Sequence, residues 1–273
     1  MTMQDLSCLG RCSLTEAIPV LSAMELETVV LPTALLSSHT AFPDVFAESL
    51  LQPAEEVIHC WQENHITFDA IYIGYLGSNS AIRLAEQVID TFGIGIPVLI
   101  DPAFGDQGHL YRGINEDYPA RLRSILGKAA IICPNLTEAC FLTETPYFET
   151  YNEQQYRQLL EKLCTICSTA VLTGIDTGNN NISTVLQTNE GGFQLCSVQK
   201  EPASFHGTGD LWAAAFFGAF LHDLPVADAM NLANRFVKEA IHISLQDHCD
   251  PLFGTEFEKA LPLLIQLLHE RKH

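Results

Sequence analysis

The feature that most restricts how this chain can fold is a repeated alternation of short, unbroken apolar runs with helical patterns. The runs lie at residues 28–31, 70–74, 97–100, 129–133 and 170–173. Between them fall helical patterns at 53–63, 79–91 and 116–126, a helix opening at Leu136, and a longer one at 153–167. A strand apolar on both faces is buried on both faces, so such runs joined through helices give a mostly parallel sheet with helices on either side. The expectation is an α/β, doubly wound sheet. A helix is also expected at 13–21, a loop at 36–43, and residues 1–5 are short for a strand. The alternation breaks once, where 182–186 and 193–198 flank the turn Thr188-Asn189-Glu190-Gly191-Gly192; this predicts an antiparallel hairpin at one edge. After Gly207 the chain is helical to His222, then near 227–243 and 256–268. With no linker, repeat or low-complexity tract, a single domain over 1–273 is expected.

Charge narrows the partners. With 14 Lys and Arg against 33 Asp and Glu the net charge is −19, which argues against nucleic acid and anionic membrane surfaces. No apolar run is long enough to cross a bilayer. The nine cysteines are odd in number and scattered through apolar segments, and no cationic leader precedes an apolar stretch, which points to a reducing, cytoplasmic setting. Cys164-Thr165-Ile166-Cys167 places two thiols on one face of the predicted helix, where packing explains them without a metal.

The chemistry collects elsewhere. Phe205-His206-Gly207-Thr208-Gly209-Asp210 runs directly into the apolar segment 211–220. Glycines around a hydroxyl residue at a helix start leave backbone N–H groups bare, and these attract anions such as phosphate. Asp210 falls in the first helical turn, where the helix dipole favours the ionised carboxylate and where it can take a proton from a nearby hydroxyl. The same residues also make an ordinary turn and helix cap. In open parallel sheets ligands bind at the carboxyl ends of strands. Asp101 ends one run and is followed by the glycine-rich 105–111, a segment suited to move over a nucleotide; Asn135 and Glu138 end the next, and Thr173-Gly174 a third. Each acid alone has a plain explanation as a turn or cap residue. Gathered on one rim beside a phosphate cradle, they suit Mg²⁺ held through carboxylates and phosphate oxygens. Walker, dinucleotide-binding, nucleophile-elbow and zinc-protease signatures are missing from the sequence.

Three segments carry a family resemblance: Asp101-Pro102-Ala103-Phe104-Gly105-Asp106 with Gly108 and Tyr111, Pro134-Asn135-Leu136-Thr137-Glu138-Ala139, and His206-Gly207-Thr208-Gly209-Asp210. With Gln4-Asp5-Leu6-Ser7-Cys8-Leu9-Gly10 and Leu36-Ser37-Ser38-His39-Thr40, they make the chain similar to the ribokinase-like superfamily, and within it to the pyridoxal kinases. The resemblance implies ATP- and Mg²⁺-dependent phosphorylation of the 5′-hydroxymethyl group of a vitamin B6 ring, by a homodimer that can also use a monovalent cation. It makes Asp210 the base and gives Gly207, Thr208 and Gly209 the charge that develops in transfer. Asp101, Asn135, Glu138 and Thr173 join the cradle in binding ATP; Asp101, Tyr111 and Glu138 hold the metal; Asp5, His39, Thr40 and Tyr75, with Asp210, face the ring. Two departures bear on this. Only four residues precede Asp5, so the first strand is expected to be short or absent and Asp5 loosely held; and aspartate there, where some members carry serine, favours an aminated ring. Hydroxymethylpyrimidine kinases resemble the same segments, and a binding protein without turnover would keep them too. The stretch before Leu36 leaves no room for the lid domain of a sugar kinase.

Overall fold

The computed structural model describes residues 1–178 and 180–270. The chain opens with β1 (Thr2–Ser7), α1 (Leu14–Ala23), β2 (Val30–Leu36) and the short β3 (Ala47–Ser49). Then come α2 (Leu51–Glu63), β4 (Ile71–Ile73), α3 (Asn79–Phe92) and β5 (Val98–Ile100). A small hairpin, β6 (Gly105–Asp106) and β7 (His109–Leu110), precedes α4 (Tyr118–Leu126), β8 (Ile131–Ile132), α5 (Leu136–Leu142) and α6 (Glu153–Leu163). Three longer strands follow, β9 (Thr169–Gly178), β10 (Asn181–Thr188) and β11 (Phe193–Gln199), and the chain closes with α7 (Thr208–Leu221), α8 (Val226–Gln246) and α9 (Phe257–Glu270).

The main sheet has the order β11-β10-β9-β8-β5-β4-β1-β2-β3. From β9 through β2 the pairing is parallel; β10 and β11 at one edge and β3 at the other are antiparallel. Side chains alternate between two cores, as a sheet covered on both faces requires. Ile71, Ile73, Val98, Ile100 and Ile132 pack against α2 to α6. Tyr72, Leu99 and Ile131 point the other way, onto α1, α7, α8 and α9. The segment Leu211 to Ala219 of α7 is buried all round, which explains its lack of a polar face. No helix among the described residues is long and apolar enough to cross a membrane.

The structure corrects several sequence expectations. The first strand is neither short nor absent: β1 spans six residues and pairs in parallel with both β2 and β4. Its polar sequence hides it, because Thr2, Gln4, Asp5 and Ser7 are all buried. The strand expected at 28–31 begins only at Val30 and continues to Leu36, and β3, exposed at the edge, carries no apolar signal. The strand at 170–173 runs on to Gly178 across an irregularity in its pairing with β10. Residues 105–111 are folded into the β6–β7 hairpin, whose turn residues Gln107 and Gly108 both have positive φ, the geometry of a two-residue hairpin loop. The helix expected at 153–167 ends at Leu163, so the cysteine pair lies beyond it; the Cys164 thiol donates to the Gln187 carbonyl and Cys167 is buried.

One buried polar group ties the late helices to the antiparallel edge. Asn234 of α8 accepts from the Trp212 indole N–H at 2.7 Å and donates to the Thr184 hydroxyl at 3.0 Å and the Cys196 carbonyl at 3.3 Å. Replacing Asn234 with Leu strands buried donors on α7 and β10, and each unsatisfied buried group costs about 1–3 kcal/mol. The urea midpoint of Asn234→Leu is expected to fall by an amount worth about 2 kcal/mol or more at unchanged m-value; an unmoved midpoint contradicts the assignment.

Candidate active site

A cavity of about 320 Å³ opens at the carboxyl ends of the parallel strands, within the range of small-molecule sites. It brings together Asp5, His39, Thr40, Tyr75, Asp101, Tyr111, Asn135, Glu138, Thr173, Gly207, Gly209 and Asp210. Thr208 is the exception: its hydroxyl turns away and donates to the Phe205 carbonyl at 3.2 Å. Ser13, Arg112, Cys133 and His206 also line the cavity. Ser13 opens a segment that reads only as a helix start and Arg112 directly follows Tyr111, neither with a site signature; His206 stands beside the glycines in the sequence without a role.

Gly207 sets the cradle. It precedes α7 with φ of 80°, in the left-handed region, and a Cβ there would come within 2.2 Å of the Arg11 carbonyl oxygen. Both conformation and space therefore demand glycine. A Cβ on Gly209, two residues on, would meet nothing within 4 Å, and its backbone is bare to the cavity. Asp210 is held from across the fold, its Oδ2 accepting the Ser13 N–H at 2.9 Å. Its pKa is pushed up by burial and by the Asp5 carboxylate, against the pull of that hydrogen bond. At Asp210, burial and the nearby Asp5 carboxylate therefore act against the helix dipole and the Ser13 N–H.

The other acids share this condition. Asn135 and Glu138 form a capping box, Asn135 Oδ1 accepting the Glu138 N–H at 3.0 Å and Glu138 Oε2 accepting the Asn135 N–H at 2.9 Å. Glu138 Oε1 takes the Phe104 N–H at 2.9 Å, and Asn135 Nδ2 donates to the Gly105 carbonyl at 2.8 Å. The box therefore fixes the start of the β6–β7 hairpin. Burial raises the pKa of Glu138 despite these donors, and burial with Glu138 and Asp210 nearby raises that of Asp101. Tyr111 keeps its proton, since burial and surrounding acids push its phenol well above the usual range. Among the described residues no three His, Cys, Asp or Glu side chains converge as a metal cage. The donor set of Asp101 and Glu138 fits a hard cation that binds oxygen, keeps its waters and takes further ligands from phosphate.

At the other end of the cavity Asp5 is buried and accepts the Ser7 hydroxyl at 2.8 Å, so the complete β1 holds it firmly, contrary to expectation. The His39 ring stacks on His206 at 4.6 Å and meets Phe42 edge-on at 4.8 Å. His39 Nε2 lies 2.6 Å from the Leu252 carbonyl oxygen, an acceptor only, so Nε2 carries a proton, while Nδ1 accepts the Ala41 N–H at 3.4 Å. Asp5, Tyr75 and the two imidazoles make a wall suited to a flat, polar ring.

Comparison with known proteins agrees with this geometry. A candidate phosphomethylpyrimidine kinase of Bacteroides thetaiotaomicron, crystallised with pyridoxal, superposes with a TM-score of 0.92 at 29% identity, covering 96% of this chain and 94% of that one. The pyridoxal kinase of Lactobacillus plantarum superposes at 0.90, also at 29% identity, over 100% and 98%. A candidate pyridoxal kinase of Schizosaccharomyces pombe is 23% identical over 212 residues, 73% of this chain, and the match spans 61% of that protein's length. The fold is the ribokinase-like one. The model of the phosphomethylpyrimidine kinase family matches residues 28–251, and the chain belongs to that family.

Proposed function

We propose that the protein is a kinase that transfers the γ-phosphoryl group of ATP to the 5′-hydroxymethyl group of a vitamin B6 vitamer. One observation carries the reading: Asp210, anchored by Ser13, opens α7 inside the cavity beside the bare backbone of Gly209. The alcohol gives its proton to Asp210 while its oxygen attacks the γ-phosphorus, and ADP departs. The N–H groups of Gly207, Thr208 and Gly209 take up the charge that develops on the phosphoryl oxygens. Asn135 and Thr173 line the nucleotide end. Asp101 and Glu138 hold Mg²⁺, with Tyr111 as a neutral hydroxyl beside them; the ion, when bound, supplies charge neutralisation for the phosphates. Asp5, His39, Thr40 and Tyr75 orient the ring. The relatives at 29% identity, one described as a pyridoxal kinase and one crystallised with pyridoxal, favour the pyridine ring. The family match favours a second reading, a hydroxymethylpyrimidine kinase with the same transfer step. The resemblance to pyridoxal kinases further supports a homodimer and the composition a cytoplasmic setting.

ADP release from ATP and Mg²⁺ with pyridoxal, pyridoxine, pyridoxamine and hydroxymethylpyrimidine separates the two readings. The B6 alcohols are expected to be turned over in preference; preference for the pyrimidine selects the second. Asp210→Asn is expected to lose about 10²-fold or more in kcat, the scale of a missing general base. A folded Asp210→Asn that keeps most of its turnover removes Asp210 from the chemistry. Asp5→Ser is expected to lower the kcat/KM for pyridoxamine relative to pyridoxine, and equal turnover of all three vitamers before and after the substitution contradicts a role for the Asp5 charge.

The buried acids also give stability a pH dependence. Asp5, Glu16, Asp101, Glu138 and Asp210 all have raised pKa values through burial. The folded state then holds protons that the unfolded chain releases above about pH 4, so stability is full below that point and falls as the pH climbs. Burial disfavours the charged forms of the Met1 amine and His206, which pushes the other way, but they are outnumbered. The melting temperature of the ligand-free protein is expected to fall between about pH 5 and pH 8, and Glu138→Gln to flatten that slope. A melting temperature that rises across this range contradicts the assignment.

A further inference from the structure

Ser13-Leu14-Thr15-Glu16 at the start of α1 has the sequence of a capping box, in which the glutamate accepts the Ser13 N–H. That N–H donates instead to Asp210, and the Glu16 side chain turns into the protein. It is fully buried, and neither carboxyl oxygen finds a hydrogen-bond partner among the described residues. Both oxygens lie 2.9 Å from the point that a Cβ on Gly207 would occupy. Glu16 is absent from the cavity wall, so its carboxyl sits behind the cradle, packed against the residue that opens α7.

The surroundings decide its charge. Asp210 faces it from α7, Glu258 from α9, Tyr72 from β4 and Cys12 from the loop before α1. Arg11 is the cation nearby, and its guanidinium is engaged by Glu258 at 2.8 Å. A carboxylate there would be desolvated, unpartnered and beside like charge, which strongly favours the neutral acid. Burial and Asp210 accordingly push its pKa well above the usual glutamate range, against the pull of Arg11.

We propose that Glu16 is a positioning residue for phosphoryl transfer: as a neutral acid it leaves the positive end of α7 free to act on phosphate, and its ionisation shuts transfer down by placing a negative charge behind the cradle. The inference rests on the reading of α7 as a phosphate cradle. Asp210 must lose a proton to act and Glu16 must keep one, so turnover is bounded on the acid side by the first and on the alkaline side by the second.

The test is the pH dependence, from about pH 6 to pH 10, of turnover and of Mg-ATP affinity in the parent, Glu16→Gln and Glu16→Met. In the parent both quantities are expected to fall on the alkaline side, approaching about tenfold per pH unit. Both variants are expected to lose that limb and keep the acid one, which a purely structural role for Glu16 would leave unchanged. An alkaline limb that persists in the folded variants, or is missing from the parent, overturns the proposal. Methionine replaces an unpartnered carboxyl with an apolar chain of similar size, so failure of both variants to fold also counts against it. If no alcohol is turned over, the proposed function fails while the Mg-ATP affinities still decide the role of Glu16.

Discussion

An α-helix that begins inside a cavity leaves backbone N–H groups without partners, and α7 does this at Gly207. The rest of the site follows from that placement. The left-handed Gly207 packs against the Arg11 carbonyl and the buried Glu16, which aims the helix at the carboxyl ends of the strands. Burial of α7 on every side, between α1, α8 and the sheet, then fixes the direction in which its positive end points. Asp210 completes the arrangement by reaching across to the Ser13 N–H, so the base and the cradle are positioned by one helix and one cross-fold contact.

Charge is the second constraint. The chain carries a net charge of −19 and gathers Asp5, Asp101, Glu138 and Asp210 around one cavity, with Arg112 at its edge. Carboxylates so placed raise one another's proton affinity, and a cation relieves them. Glu138 is partly compensated by backbone donors from the capping box and from Phe104, which makes it both a structural pin for the β6–β7 hairpin and an acid near the proposed metal. Asp101 has less relief and stands to gain more from a cation.

Much of this was legible in the sequence because the parallel strands are apolar on both faces and their ends stand out as polar. Asp101, Asn135 and Glu138 stand out by that contrast, and the glycines before Asp210 by their place at the start of an apolar helix. What stayed hidden was hidden for physical reasons. β1 reads as short or absent by length, yet it is a full strand whose polar side chains serve the site and a buried network, with Gln4 Nε2 donating to Thr2 Oγ1 at 2.8 Å. β3 is exposed and has no apolar signature. Glu16 lies in a sequence that suits a helix cap, and only the folded contact between Asp210 and Ser13 frees it for burial. The charge state of Asp210 depends on desolvation, which no local pattern records.

The central claim is that an alcohol and the terminal phosphoryl group of ATP meet at the end of α7. A crystal structure with ADP, magnesium, aluminium fluoride as a mimic of the transferring phosphoryl group, and pyridoxine tests it most directly. The account predicts the fluoride seated on the N–H groups of Gly207 to Gly209, with the pyridoxine hydroxymethyl oxygen within hydrogen-bond reach of Asp210. A fluoride bound away from α7, or a hydroxymethyl group turned away from Asp210, contradicts it.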